Sequence, residues 1–171
     1  METNIYCKPE EEIIDFLKSN QIEYNQIKHT ALFTMDEYEN IQKKLNCLIP
    51  KNLFLCNRQK TKFYLLLMPG NKKFLTKELS SQINSARLSF AEEEKLKETL
   101  NCYKGSTSPF GLLFDKKDEV TLLIDKDLWN EDFFGFHPCD NTSTLKIKKE
   151  DFILYLNIIH KPYTFVTLKG E

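Results

Sequence analysis

The stretch Tyr64-Leu65-Leu66-Leu67-Met68 constrains the fold more than any other part of the chain. Its unbroken apolar character leaves no polar face at either the strand or the helix period, so a segment this short reads as a strand buried on both sides. Such a strand needs layers packed against each face of its sheet, which points to an α/β architecture. Just upstream, residues 53–56 are apolar and Asn57-Arg58-Gln59-Lys60 is polar, so 53–56 and 62–68 read as strand, turn, strand.

The remaining segments fit around this pair. Pro9-Glu10-Glu11-Glu12 opens a helix, with proline at its first position, carboxylates near the positive end of the dipole, and Ile13, Ile14 and Leu17 on one apolar face. A short strand over 22–28 follows. Thr34-Met35-Asp36-Glu37 has the capping-box pattern for a helix reaching about residue 45. Residues 76–83 read as a helix, and Ser89-Phe90-Ala91-Glu92 as a second capping box before a helix with Leu96 and Leu100 inward. Leu112-Leu113-Phe114 and Val120-Thr121-Leu122-Leu123-Ile124 flank Asp115-Lys116-Lys117-Asp118 as a second hairpin. A strand over 142–147, a helix over 150–159 and a strand over 163–168 complete the chain. Strand pairs interrupted by single helices predict one compact domain over 1–171, with a central mixed β-sheet surrounded by helices and no regular βαβ winding.

Composition removes several function classes. Residues 1–6 lack a basic region followed by an apolar stretch, and the longest apolar run, 63–68, is too short to span a bilayer, so a cytoplasmic protein is expected with no membrane role. Five widely spaced cysteines with no C-x-x-C pair, Cys7 among them, predict free buried thiols in place of a disulfide framework or a zinc site. A net charge of −1 does not advertise a nucleic-acid binder, although residues 43–87 are locally basic.

Two segments are suited to chemistry. Gly105-Ser106-Thr107-Ser108-Pro109-Phe110-Gly111 is neither a Walker loop, lacking Lys-Ser or Lys-Thr after the second glycine, nor a nucleophile elbow, because Thr107 holds the central position. It reads either as a loop presenting backbone N–H and C=O groups at fixed angles or as a plain helix-to-strand turn. Lys51 abuts Leu53-Phe54-Leu55, so its ammonium must reach water or an anion, which is either a substrate group or a structural carboxylate. His137 is either a structural hydrogen-bonder or a base, and Cys139 two residues on does not establish a nucleophile.

Taken in order, Pro50-Lys51-Asn52-Leu53-Phe54-Leu55, Ala86-Arg87-Leu88-Ser89-Phe90-Ala91, the Gly105 to Gly111 segment, and Gly135-Phe136-His137-Pro138 followed by Asn141-Thr142 resemble the landmarks of the YbaK-type aminoacyl-tRNA deacylases. These are free-standing relatives of the prolyl-tRNA synthetase editing domain, and the resemblance covers roughly residues 22–160. Within them the chain is similar to the alanyl-tRNA(Pro) deacylase branch and the prolyl-tRNA-synthetase-associated proteins found beside proline-reductase systems.

That resemblance implies the YbaK editing-domain fold and a trans-editing hydrolase. Its reaction would cleave the ester joining alanine to the 3′ end of tRNA(Pro), using a positioned water and the substrate's own ribose hydroxyl. Carried over by position, Lys51, Gly105 and Pro109 are the catalytic set, with Lys51 engaging the terminal adenosine or its phosphate. Asn52 holds the amino group, Ser106, Thr107 and Ser108 contact substrate from the loop, and His137 and Asn141 support the pocket. The acceptor end of tRNA(Pro) is the implied partner and prolyl-tRNA synthetase a candidate second one, with no metal or organic cofactor; monomer and homodimer both stay open. Leu48-Ile49-Pro50 stands where the family often has small or polar residues, so the preferred amino acid is less secure, with Cys and Ser as alternatives. A non-catalytic module sensing aminoacyl-tRNA or proline is the rival from another class, and the intact Lys51, Gly105 and Pro109 set speaks against it.

Overall fold

Phe63–Met68 is the middle strand of a five-stranded sheet in the computed structural model, which describes residues 8–171. The expectations for residues 1–6 and for Cys7 lie outside the described residues. In chain order the elements are α1 (Pro9–Ser19), β1 (Asn25–Lys28), α2 (Met35–Leu45), β2 (Lys51–Cys56), β3 (Phe63–Met68), α3 (Thr76–Gln82), β4 (Ser89–Phe90), α4 (Glu93–Leu100), a 3-10 helix (Pro109–Phe114), β5 (Val120–Asp125), a second 3-10 helix (Lys126–Asn130), β6 (Phe133–Phe136), β7 (Ser143–Lys148), α5 (Lys149–Ile158) and β8 (Tyr163–Val166).

The larger sheet runs β4-β2-β3-β5-β8 and is mixed, with β3 antiparallel to β2 and parallel to β5. Both faces of β3 are covered, as its sequence requires. Leu65 and Leu67 join the main core with Phe110, Phe136 and Tyr155, while Tyr64, Leu66 and Met68 pack with Leu79 of α3 and with Val166 and Leu168. A smaller antiparallel sheet, β1-β7-β6, meets the larger one where the Gly135 N–H donates to the Leu48 carbonyl at 2.8 Å. Ile49 closes that junction, since a Cβ on Gly135 would lie 2.9 Å from its Cγ1. No helix among the described residues is long and apolar enough to cross a membrane.

Two sequence expectations need correction. Residues 112–114 belong to a 3-10 helix and not to a hairpin strand, and β5 pairs in parallel with β3 and β8 instead. Pro109 occupies the first turn, the Ser108 hydroxyl caps the Phe110 N–H at 3.1 Å, and the Asp115 carboxylate then takes the N–H groups of Glu119 and Val120 at the entry to β5. Ser89 is likewise not a helix cap. Ser89 and Phe90 pair with Cys56 and Leu55 along the free edge of β2, and Ala91 N–H reaches Phe54 O, so ladder bonds take the backbone groups and the helix starts later, at Glu93. The Thr34 capping box on α2 is formed, with Thr34 Oγ1 accepting from Glu37 N and the Glu37 carboxylate reaching back to Thr34 N.

Candidate active site

A cleft of about 760 Å³ opens between the start of β2, the Gly105 loop and the residue that follows β6. Lys51, Asn52, Gly105, Thr107 and His137 line it, so segments far apart in sequence converge on one space. Ser106, Ser108, Pro109 and Asn141 stand behind this lining as supports. Register explains the first pair: Lys51 and Asn52 sit opposite Met68 and Leu67, at the end of β2 farthest from the hairpin turn.

Lys51 Nζ donates to the backbone carbonyl of Lys72 at 2.5 Å, and among the described residues no carboxylate pairs with it. The neighbouring cation is differently placed. Lys72 is held by Asp125 at 2.9 Å, Asp127 at 2.6 Å and the Leu168 carbonyl at 2.6 Å, so its charge is neutralised within the fold. Lys51 therefore offers the cleft an ammonium whose only partner among the described residues is a neutral carbonyl.

Asn52 supplies the complementary group. Its Nδ2 donates to Pro50 O at 3.0 Å, while its Oδ1 is buried with no partner among the described residues. An orphaned buried acceptor costs on the order of 1–3 kcal/mol, a cost that a ligand donor relieves once the side chain turns Oδ1 toward the cleft.

The Gly105 loop is braced from within. Gly105 has φ +95°, where a side chain is strained, and a Cβ there would stand 3.4 Å from Asn141 Nδ2. The Ser106 hydroxyl bonds Tyr103 N and O, the Ser108 hydroxyl caps Phe110, and both side chains are fully buried. Their hydroxyls are thus consumed by the loop, and any contact with substrate falls to backbone groups and to Thr107. The buried Tyr155 hydroxyl lies 2.9 Å from Pro109 O and 3.1 Å from Phe110 O, tying the exit of the loop to α5. Asn141 links the other side: its side chain bonds both backbone groups of Leu32, and its N–H donates to the Tyr103 hydroxyl. No local sequence signal marks Tyr155, Tyr103 or Leu32 as parts of the site.

His137 is nearly buried, with Nδ1 2.7 Å from the Ser143 carbonyl and Nε2 3.4 Å from the Tyr38 hydroxyl. A carbonyl only accepts, so Nδ1 carries the proton and the neutral ring leaves the Nε2 lone pair for Tyr38 or a ligand. Burial lowers its pKa below the ordinary range, opposed by the Ser143 carbonyl and Asp140 and assisted by nearby His29. The unfolded chain then takes up this proton first, near pH 6.5, so the stability contribution is complete above about pH 6.5 and is lost as pH falls toward the folded value. Urea midpoints at about pH 5 and pH 7.5 test this. The wild type is expected to lose more stability on acidification than His137→Gln; equal losses would contradict the assignment.

The described cysteines are free. Burial pushes the Cys47 thiol up to about 11, and burial together with the Cys102 thiol at 3.1 Å raises Cys139 well above its ordinary value, so neither is a thiolate at neutral pH. Among the described residues no group of three or more His, Cys, Asp or Glu is arranged to hold a metal ion. Catalysis is accordingly expected to survive both EDTA and thiol alkylation of the folded protein, measured as initial deacylation rate. Loss of activity to EDTA would contradict a metal-free site, and loss to alkylation with the fold intact would restore a cysteine role.

Residues 29–154 match the family model described as "Aminoacyl-tRNA editing domain". The prolyl-tRNA editing protein ProX of Acetoanaerobium sticklandii is 36% identical over 139 residues, covering 81% of this chain and 85% of that one. The prolyl-tRNA synthetase associated domain-containing protein 1 of Danio rerio is 30% identical over 147 residues, covering 85% and 79%. A solved structure described as a candidate trans-editing enzyme for prolyl tRNA synthetase shares the fold, with a TM-score of 0.72 at 11% identity over 97% of this chain and 99% of that one. The family match and these relatives put the chain in the aminoacyl-tRNA deacylase class of ester hydrolases. The chain belongs to the aminoacyl-tRNA editing domain family.

Proposed function

We propose that this protein removes alanine from mischarged tRNA(Pro), hydrolysing the ester at the tRNA 3′ end in the cytoplasm. The observation that carries the reading is the convergence of Lys51, Asn52 and Gly105 on one cleft, with the buried Asn52 Oδ1 unpartnered among the described residues. The names of the relatives, which refer to prolyl-tRNA editing and to prolyl-tRNA synthetase, support tRNA(Pro) as the nucleic acid.

In this mechanism the α-ammonium of the aminoacyl group donates to Asn52 Oδ1, and Lys51 pairs with the terminal phosphate or with charge developing at the ester. Backbone groups of the braced Gly105 loop hold the ester carbonyl and a water in line, and the substrate's ribose hydroxyl assists proton transfer. Aminoacyl esters are already labile, so positioning and charge stabilisation suffice without a protein general base. His137, kept neutral by burial, sets the pocket wall with Tyr38. Prolyl-tRNA synthetase is a fitting second partner, because a chain of net charge −1 gains little affinity from phosphate contacts alone.

Selection rests on size. Leu48, Ile49 and Pro50 form one wall of the cleft, and Ile49 cannot retreat because it is seated against Gly135. A rigid wall admits a small side chain and rejects a larger one, which complements a synthetase that cannot reject alanine well. Initial rates are expected to fall from alanine to 2-aminobutyrate to proline esters of tRNA(Pro). Rates that rise with side-chain size would contradict this.

The amino-group contact is tested with Asn52→Ala on alanyl-tRNA(Pro) and on lactyl-tRNA(Pro), in which a hydroxyl replaces the ammonium. Losing a hydrogen bond to a charged group should lower kcat/KM for the alanyl ester roughly 10- to 100-fold. The lactyl ester should lose far less, and thermal stability should change little, because removing the orphaned acceptor offsets the loss of the Nδ2–Pro50 O bond. Equal losses on both esters would contradict the role of Asn52.

A further inference from the structure

Among the described residues Phe33 is the most exposed of the large apolar side chains, at 82%, and has no ring contact. Its backbone is nonetheless firmly held. The Phe33 N–H donates to Glu37 Oε2 at 2.6 Å, and the same oxygen takes the Thr34 N–H at 2.9 Å. Leu32, one residue before, is buried and clamped through both backbone groups by Asn141, which itself lies against Gly105. Met35, two residues after, is 59% exposed and lines the cleft. Phe33 is therefore bracketed at the rim, between Leu32, held by Asn141 beside the Gly105 loop, and Met35, which lines the cleft. Tyr103, partly exposed, is tied to the same Asn141 through its hydroxyl and brings a second ring to this corner.

An exposed ring on a fixed backbone forfeits burial and gains a rigid face, which is the arrangement that stacks unpaired bases. Net charge points the same way. At −1 the chain has little basic excess for phosphates, whereas stacking draws on the π-face that every base possesses.

We propose that Phe33 is a stacking platform for an unpaired base at the 3′ end of the tRNA whose aminoacyl ester occupies the cleft, with Met35 continuing the apolar surface inward. This rests on the reading of the cleft as a deacylation site. Phe33 acts on the affinity and register of the acceptor end, and the ester chemistry stays with the groups inside the cleft.

The test compares wild type, Phe33→Ala and Phe33→Trp in steady-state hydrolysis of Ala-tRNA(Pro). In parallel, equilibrium binding is measured to uncharged tRNA(Pro) and to a short single-stranded RNA ending in CCA. For Phe33→Ala the expected result is a rise of roughly 10- to 100-fold in KM and in both dissociation constants, with the loss falling on KM and not on kcat. Phe33→Trp should restore affinity. The ratio of mutant to wild-type dissociation constants should be the same at low and high salt, because stacking releases no counterions. If wild type deacylates and Phe33→Ala leaves KM and RNA affinity unchanged, the platform is overturned. A loss confined to binding of prolyl-tRNA synthetase would overturn it equally, making Phe33 a protein contact. If wild type fails to deacylate but RNA affinity still depends on Phe33, the platform stands and the catalytic reading falls.

Discussion

Replacing Lys51 with alanine is expected to lower kcat/KM for Ala-tRNA(Pro) by about 100-fold or more, the scale of losing one preorganised electrostatic contact. The fold should notice little. In the free protein Lys51 bonds a single neutral carbonyl, that of Lys72, and pairs with no carboxylate among the described residues, so its removal leaves no buried charge behind. Loss of one such bond costs about 1 kcal/mol, or roughly 2–4 °C in melting temperature for a domain of this size. Lys72 offers the contrast. With Asp125 buried beneath it, Lys72→Ala would strand a carboxylate and act on stability first. If Lys51→Ala unfolds while its folded fraction hydrolyses at the normal rate, Lys51 is structural and the electrostatic assignment fails.

Gly111→Ala is expected to have the largest effect on stability. A Cβ at this position would stand 2.5 Å from Leu100 O, 2.9 Å from Leu100 Cβ and 3.2 Å from Cys102 Sγ. The first of these is a backbone oxygen at the end of α4, which has no rotamer to escape into, so either α4 or the 3-10 helix must move. Overpacking of this kind costs about 3 kcal/mol or more when the neighbour is rigid, equivalent to a fall of roughly 6–12 °C. Gly70→Ala serves as the control, since its nearest contact, Ile49 O at 3.8 Å, is ordinary. An unchanged denaturation midpoint for Gly111→Ala would show that the helices yield freely. The two glycines of the loop motif thus do different work: Gly105 provides the positive φ at the cleft, and Gly111 lets the loop's exit close against α4.

Much of this architecture was legible where a residue's environment is written in its immediate neighbours. The unbroken apolar run of β3 admitted only a doubly buried strand, and Thr34 with Glu37 announced the start of α2 because capping is a local exchange of hydrogen bonds. Short segments with two acceptable fates do not declare in sequence which one they take. Leu112-Leu113-Phe114 is too brief to display a period, and Pro109 and Ser108 settled it as a 3-10 turn. Ser89-Phe90 satisfied a capping pattern in sequence but met the open edge of β2 in space. The site divides in the same way. The Lys51, Gly105 and His137 segments were visible as motifs, whereas the hydrogen bonds that brace them were not. Tyr155 reaches Pro109 across 46 residues and Asn141 reaches Leu32 across 109, separations over which no pattern in the chain reports proximity. The inward turn of the Ser106 and Ser108 hydroxyls and the orphaned oxygen of Asn52 likewise exist only once the chain has folded.

The most direct measurement charges tRNA(Pro) in turn with Ala, Pro, Ser and Cys and follows deacylation by the purified protein. The account predicts rapid loss of alanine with proline retained, and a proportionate drop in the alanine rate for Lys51→Ala. Fast loss of serine or cysteine with alanine retained would move the specificity to another mischarged amino acid. No loss from any of the four, with tRNA binding demonstrated on the same preparation, would contradict the hydrolase outright and leave the cleft to a sensor of aminoacyl-tRNA.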